Sequence, residues 1–281
     1  MGWFELSLAS MALYGIQAFL FKAAARRGCD SSLLMFFFMM TAGGFASAAY
    51  LLNPAPISGM GPLLLYAISQ AIFYLFRQMS KIEAMKLIPG AVALPLAATQ
   101  GMVAAILGIS LLREEITSFQ LLGIISALLV ILIFSREGGG EAGPRDAGRG
   151  IALAISAAVS GGVVNFILKL AATISNHFLF IAVSYYFALL PSYLYYRLKG
   201  ASRNMRKESA KFGICSGIVN FIAFALFLSA LAQGPVSIIT PLVDLNLIFA
   251  VIIIAIVYRE KLTNSRIFGV LLAIAAVFLL K

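Results

Sequence analysis

Long apolar runs, separated by short polar or glycine- and proline-rich breaks, set the rhythm of this chain. A helix that crosses the hydrocarbon of a bilayer needs about 20 mostly apolar residues. By that measure the first span is Trp3–Ala24, and the stretch Ser31–Phe76 carries no charge at all. Asn53–Pro62 (NPAPISGMGP) breaks that stretch into two spans, because proline and glycine at such density make a turn. Leu87–Leu112, Ile116–Ser135, Gly150–Leu170, Phe178–Tyr196, Phe212–Ala232, Val236–Tyr258 and a shorter Asn264–Leu280 complete ten spans. The segment 136–149 is glycine-rich and charged, and it reads as a linker between halves 1–135 and 150–281.

The fourth and fifth spans of the two halves align without a gap. A shift of 146 positions superposes Pro89 on Pro235, Pro95 on Pro241, Arg113 on Arg259, Glu114 on Glu260, Thr117 on Thr263 and Gly123 on Gly269. At 147, Gly15, Phe19 and Lys22 of the first span meet Gly162, Phe166 and Lys169 of the sixth. Five spans per copy is an odd number, so the second copy enters the membrane in the opposite sense. The expected fold is therefore all-α and integral to the membrane, with ten transmembrane helices in two inverted five-helix repeats.

On these residues the chain resembles the drug/metabolite transporter superfamily, specifically its ten-helix EamA-like members. The likeness rests on a glycine within the first helix of each half, a proline in the fourth, and the string Glu-x-x-Thr-x5-Gly at Glu114, Thr117, Gly123 and again at Glu260, Thr263, Gly269. The tryptophan usual before the first-helix glycine is Tyr14 here and Gly161 in the second half. The resemblance implies secondary transport of amino acids or similar metabolites, with export the commonest role.

Composition agrees with lipid as the solvent. Apolar residues are 62% and charged residues 11% of the 281, too oily a surface for water. The excess of 21 basic over 11 acidic residues lies between the apolar runs, so it anchors loops and does not mark a nucleic-acid surface. All basic residues but Arg113, Lys169 and Lys281 fall in or beside the odd-numbered connections. The positive-inside rule then puts both termini outside an inner, multi-pass cell membrane. The resemblance implies the reverse, and the charge count is the basis preferred here. The first span has no small-residue cleavage site after it and reads as a retained helix.

Polar groups inside the spans carry the functional expectation, because hydrocarbon leaves them no partner outside a cavity or another helix. Asp244 is the carboxylate nearest the middle of a span, with Ser237 and Thr240 on its face. It is either a proton- or cation-binding group of a central cavity or half of a structural ion pair with Lys169. Lys22 and Lys169 hold equivalent places in the repeats, Lys169 with Asn165 one turn earlier. Each is either a cavity residue or a lysine snorkelling to the interface. Tyr66, Gln70, Tyr74 and Arg77 form a polar-aromatic stripe on the third span, either lining a solute path or cementing helices. Gly213, Gly217 and Asn220 share a face of the eighth, where the glycines suit close packing, and Gln100 and Asn246 correspond under the repeat. The substrate set expected is thus Asp244, Lys169, Asn165, Lys22, Gln70, Tyr74, Gln100, Asn220, Thr240 and Asn246. Pro89, Pro95, Pro235 and Pro241 are candidate hinges, since each removes a backbone donor.

Enzyme chemistry finds no constellation. His177 is the lone histidine, the two cysteines Cys29 and Cys215 are isolated, and Gly138–Gly140 has no phosphate-loop Lys-Ser/Thr after it. No cofactor or metal is expected; the partners are the bilayer and a small-molecule substrate, with a homodimer left open and no nucleic acid. The expected function is alternating-access transport of a small metabolite, in the export direction, with Asp244 as the group that would carry a coupling proton. Helices one, three, four, six, eight and nine would surround the site, and five and ten would lie outside. A flippase for a lipid-linked headgroup and a non-transporting scaffold or receptor are the alternatives.

Overall fold

The computed structural model describes residues 1–54, 59–88, 93, 96–136, 147–173, 176–199, 206–259 and 263–281. They form α1 (Trp3–Arg26), α2 (Ser31–Leu52), α3 (Met60–Leu87), α4 (Gln100–Leu111), α5 (Ser118–Arg136), α6 (Ala147–Ala171), α7 (His177–Lys199), α8 (Arg206–Gln233), α9 (Val236–Asp244), α10 (Asn246–Tyr258) and α11 (Asn264–Leu279). The fold is all-helical and membrane-embedded. Seven described helices or helix pairs are long and apolar enough to cross a bilayer, and Leu96–Leu111, Ser118–Ile133 and Ile267–Leu279 are shorter apolar helices. Two expected boundaries move. Helix α3 runs on to Leu87 past the end of its apolar stretch at Phe76, and α8 begins at Arg206, six residues ahead of its first apolar turn. Hydropathy marks the hydrocarbon, whereas the helix continues into the interface as long as its backbone bonds are kept.

The repeat is written into the element boundaries. The first residues of α2, α3, α4 and α5 (Ser31, Met60, Gln100, Ser118) recur 146 positions later as the first residues of α7, α8, α10 and α11 (His177, Arg206, Asn246, Asn264). Packing repeats as well. Exchange of the halves turns the α1–α8 contact into α6–α3 and the α1–α10 contact into α6–α4, while α2–α7 and α5–α11 map onto themselves. Helices α5 and α11 pack on each other, away from the centre.

Local chemistry explains the matching ends. Asp30 Oδ1 accepts from the backbone of Ser32 (2.9 Å) and Leu33 (3.1 Å), capping α2. At the equivalent position Asn176 Oδ1 accepts from Leu179 N–H (2.9 Å) to cap α7. Short oxygen-bearing side chains suit this place because they replace the missing intrahelical acceptor. Gly28 (φ 70°) ends α1, with Cys29 N–H bonding Ala24 O and Gly28 N–H bonding Ala25 O, both at 3.0 Å, a Schellman closure. Arg113 (φ 53°) and Arg259 (φ 52°) turn the chain in the left-handed region at corresponding places after α4 and α10.

Gly15 and Gly162 hold the halves together. A Cβ on Gly15 would stand 2.8 Å from Asn246 O and 3.3 Å from Ala250 N, and one on Gly162 would stand 3.0 Å from Ala104 N. Ala104 and Ala250 are themselves repeat partners. The first helix of each half therefore lies backbone to backbone on the fourth helix of the other, which only glycine permits. On the same logic Gly213 faces Leu34 O and Gly217 faces Phe38 O on α2, in keeping with their packing role.

The left-handed corners give a stability test. A side chain in that region costs roughly 1–2 kcal/mol, so Arg113→Gly and Arg259→Gly should each raise the thermal midpoint in detergent, and Arg113→Val should lower it. Loss of stability in both glycine variants would mean that the arginine side chains, not the backbone, hold these turns.

Candidate functional site

Where the fourth span of each half meets the centre, its helix is interrupted. Leu245 (φ −69°, ψ 1°) separates α9 from α10, and Thr99 (φ −71°, ψ 6°) stands before α4 at the corresponding position. Both breaks use the same two bonds. Leu245 N–H reaches Leu242 O at 3.2 Å and Ile248 N–H reaches Leu245 O at 3.0 Å; Thr99 N–H reaches Leu96 O at 3.3 Å and Met102 N–H reaches Thr99 O at 3.0 Å. These are i→i−3 bonds that tighten one turn. Asn246 Nδ2 donates to Val243 O (2.9 Å), so a side chain takes over where the backbone ladder is interrupted. Pro241 lies inside α9, one turn before the break, and Pro235 is its N-terminal cap. Pro89 and Pro95 lie outside the described residues.

The two breaks flank a cavity of about 430 Å³ between the halves. Of the residues expected to meet substrate, Asp244, Asn165, Gln70, Tyr74, Gln100, Asn220, Thr240 and Asn246 line it. Gln100 Nε2 donates to Asp244 Oδ1 at 3.1 Å, while Asp244 Oδ2 and Gln100 Oε1 are buried with no hydrogen-bond partner. Gly101 makes this approach possible, since its absent Cβ would stand 3.3 Å from the Pro241 backbone and against the Asp244 carboxylate. Thr240 Oγ1 donates back to Val236 O at 2.7 Å, a bond within its own helix.

Across the cavity Asn220 Nδ2 donates to Gln17 Oε1 at 2.9 Å, and the Tyr185 hydroxyl donates to Asn220 Oδ1. Gln17, Tyr185, Ser184, Tyr14 and Arg77 are lining residues beyond the expected set, although Arg77 belongs to the stripe already read on the third span. Helices α2 and α7 also contribute, through Met35, Phe38 and Met39 and through Ser184, Tyr185 and Ala188. The expectation of a six-helix site is corrected to that extent. Those two spans carry no mid-span charge or amide to mark them, only aromatic, sulfur, hydroxyl and small side chains that also suit a core.

Lys22 and Lys169 do not join the lining. Lys22 is exposed toward the end of α1. Lys169 reaches from α6 to the C-terminus of α8, where its Nζ donates to Leu231 O (2.6 Å) and Gly234 O (2.7 Å). On the far side of the same turn, Glu114 from the opposite half accepts from Val236 N–H and Ser237 N–H, each at 2.9 Å. A cation thus meets the negative end of α8 and an anion the positive end of α9. The first glutamate of the Glu-x-x-Thr-x5-Gly string is accounted for by this cap. Its threonine, Thr117, forms a capping box with Gln120 at the start of α5 (3.0 and 3.2 Å), and its glycine, Gly123, sits against Leu280.

No curated protein matches the chain. Residues 148–281 match the EamA-like transporter family. A solved crystal structure, 17% identical, covers 99% of this chain and 95% of its own with a TM-score of 0.81, so the whole ten-span fold, and not only the EamA-like half, has a known counterpart. The EamA-like family is one of membrane transporters, and the first half contributes to the same cavity by the internal repeat.

Because Lys169 and Glu114 serve helix ends, their loss should appear as instability. Lys169→Met and Glu114→Ala should each cost about 1–2 kcal/mol through carbonyls or amides left without a partner, read as lower thermal midpoints in detergent. An unchanged midpoint in both would show that the turn at Gly234–Pro235 is held by packing alone.

Proposed function

We propose that this protein is a secondary transporter that carries a small polar metabolite of the amino-acid kind through the membrane by alternating access. The observation that carries the reading is a cavity of solute size between two inverted halves, into which both Arg77 and Asp244 face. A guanidinium suits a carboxylate and a carboxylate suits an ammonium, and burial makes both interactions stronger than in water. The paired breaks at Thr99 and Leu245 lie beside the cavity, at the places where each half can bend without giving up a full helix. Asp244 is the coupling group in this reading, exchanging a proton as the cavity turns from one side to the other.

The direction favoured is export. The lining reaches from mid-span to Phe21, Met35, Arg77 and Gln78, toward the end of the bundle where the basic connections lie. The opposite end carries the Lys169 and Glu114 caps and the contact of Trp3 with Gly234. With the basic end in the cytoplasm, this is a state open for loading from inside, and both termini are outside.

Reconstituted protein in liposomes under an imposed pH gradient, offered amino acids, nucleobases and organic cations, tests the assignment. Transport of a zwitterionic member is expected, with Asp244→Asn losing the dependence on the gradient. Full pH-driven transport by that variant would remove Asp244 from coupling, and silence across the panel would favour a lipid-linked headgroup as cargo. Orientation has its own measurement. In a chain with Cys29 and Cys215 replaced by serine, a cysteine appended after Lys281 should react with an impermeant maleimide on intact cells; protection would reverse the topology and with it the direction of transport.

A further inference from the structure

The two ends of the bundle are built from the same parts and closed differently. Helices α8 and α3, counterparts in the repeat, finish on the same bond: Gly234 N–H reaches Ala230 O at 2.9 Å, and Ile88 N–H, 146 positions earlier, reaches Ala84 O at 3.0 Å. The last carbonyls of a helix have no partner within it, so each end calls for a donor from outside. At α8 that donor is Lys169, whose Nζ lies 2.6 Å from Leu231 O and 2.7 Å from Gly234 O. Helix α6 packs with α3 and α8 packs with α1, so this side chain ties one group of helices to the other. Glu114 makes a second tie beside it, to the amides of Val236 and Ser237.

The counterpart of Lys169 at the basic end is Lys22 of α1, and the counterparts of its two carbonyls are those of Met85 and Ile88 on α3. There the tie is open. Lys22 is exposed, and among the described residues α1 has no packing on α3 comparable to that of α6 on α8. The cavity reaches this end, with Phe21, next to Lys22, and Gln78 of α3 in its lining. About one turn to either side of Lys22, Phe19 and Arg26 rest on the Tyr258 ring of α10, at 6.3 and 4.0 Å. Glu260, the counterpart of Glu114, lies outside the described residues.

We infer that Lys22 and Lys169 are alternating latches. Lys169 holds the two groups together at one end while the cavity is open at the basic end; Lys22 closes the basic end in the other state by donating to Met85 O and Ile88 O. A lysine suits the task, since one ammonium on a flexible stem can serve two carbonyls and is favoured by the negative end of the helix. Released, it extends to the interface, so opening strands no charge in hydrocarbon. This pairing rests on the alternating-access reading and adds to it the residues that hold each state closed.

Distances between two nitroxide labels, measured by electron–electron double resonance on the full-length protein in lipid nanodiscs, test it. With Cys29 and Cys215 replaced by serine, labels at the exposed positions Ala25 of α1 and Met79 of α3 span the basic end. A long distance reports this end open and a short one reports it closed, and their ratio is read where the imposed pH or solute gives both. A latch made in one state only shifts that ratio when removed, so Lys22→Met should lower short against long at least about fivefold and Lys169→Met should raise it by as much. Lys22→Arg, which keeps donors at this place, should stay near the unaltered ratio. An unchanged ratio in Lys22→Met overturns the pairing whether or not Lys169→Met folds, and so does a shift of both variants in one direction. A single distance in the unaltered protein and in both variants, at every pH and solute, would fail alternating access itself.

Discussion

Hydrocarbon offers a polar backbone no partner, and the architecture of this chain follows from how that demand is met wherever a helix stops or breaks. At Leu245 the amide turns to the carbonyl three residues back, and Asn246 supplies a side-chain donor to Val243 O. At the α8–α9 turn a lysine takes the last carbonyls and a glutamate from the other half takes the first amides. Breaks supported in this way can sit in the middle of the membrane, and a break in the middle is what gives a solute cavity its polar floor.

The same demand ties the two repeats together. Glu114 belongs to the first half but satisfies a helix of the second, and Gly15 and Gly162 bring each half's first helix onto the other's broken fourth. The second half does not close its own backbone requirements. In the transport cycle proposed above, an inverted pair joined through its broken helices would have two related arrangements, one for each direction of opening. The halves also depart from symmetry, with Tyr14 against Gly161 and Asp244 against Ala98.

Much of the fold could be read from the chain alone. Apolar length gave the spans, and a few repeated residues, Pro, Arg, Glu and Thr at one shift, gave the duplication that the helix starts now follow residue for residue. Polar residues in mid-span could be found by their improbability in lipid, and eight of the ten expected substrate contacts line the cavity. Lys22 and Lys169 show where that reasoning stops. A lysine looks the same in sequence whether it meets a solute, a headgroup or the end of a neighbouring helix, because the difference lies in what stands opposite it.

Sequence by itself determined the solvent, the number of crossings and the inverted relation of the halves, since each is a property of period and composition along one dimension. Tertiary structure alone decided which side chains share the cavity: that α2 and α7 contribute aromatic and hydroxyl groups, that Gln17 and Tyr185 bind Asn220, and that Gln100 occupies the space beside Gly161. The physical reason is that a cavity is made of contacts between residues far apart in the chain. An aromatic ring or a glycine carries no local mark of whether it faces lipid, a packed neighbour or an enclosed space, and only the helix opposite settles which.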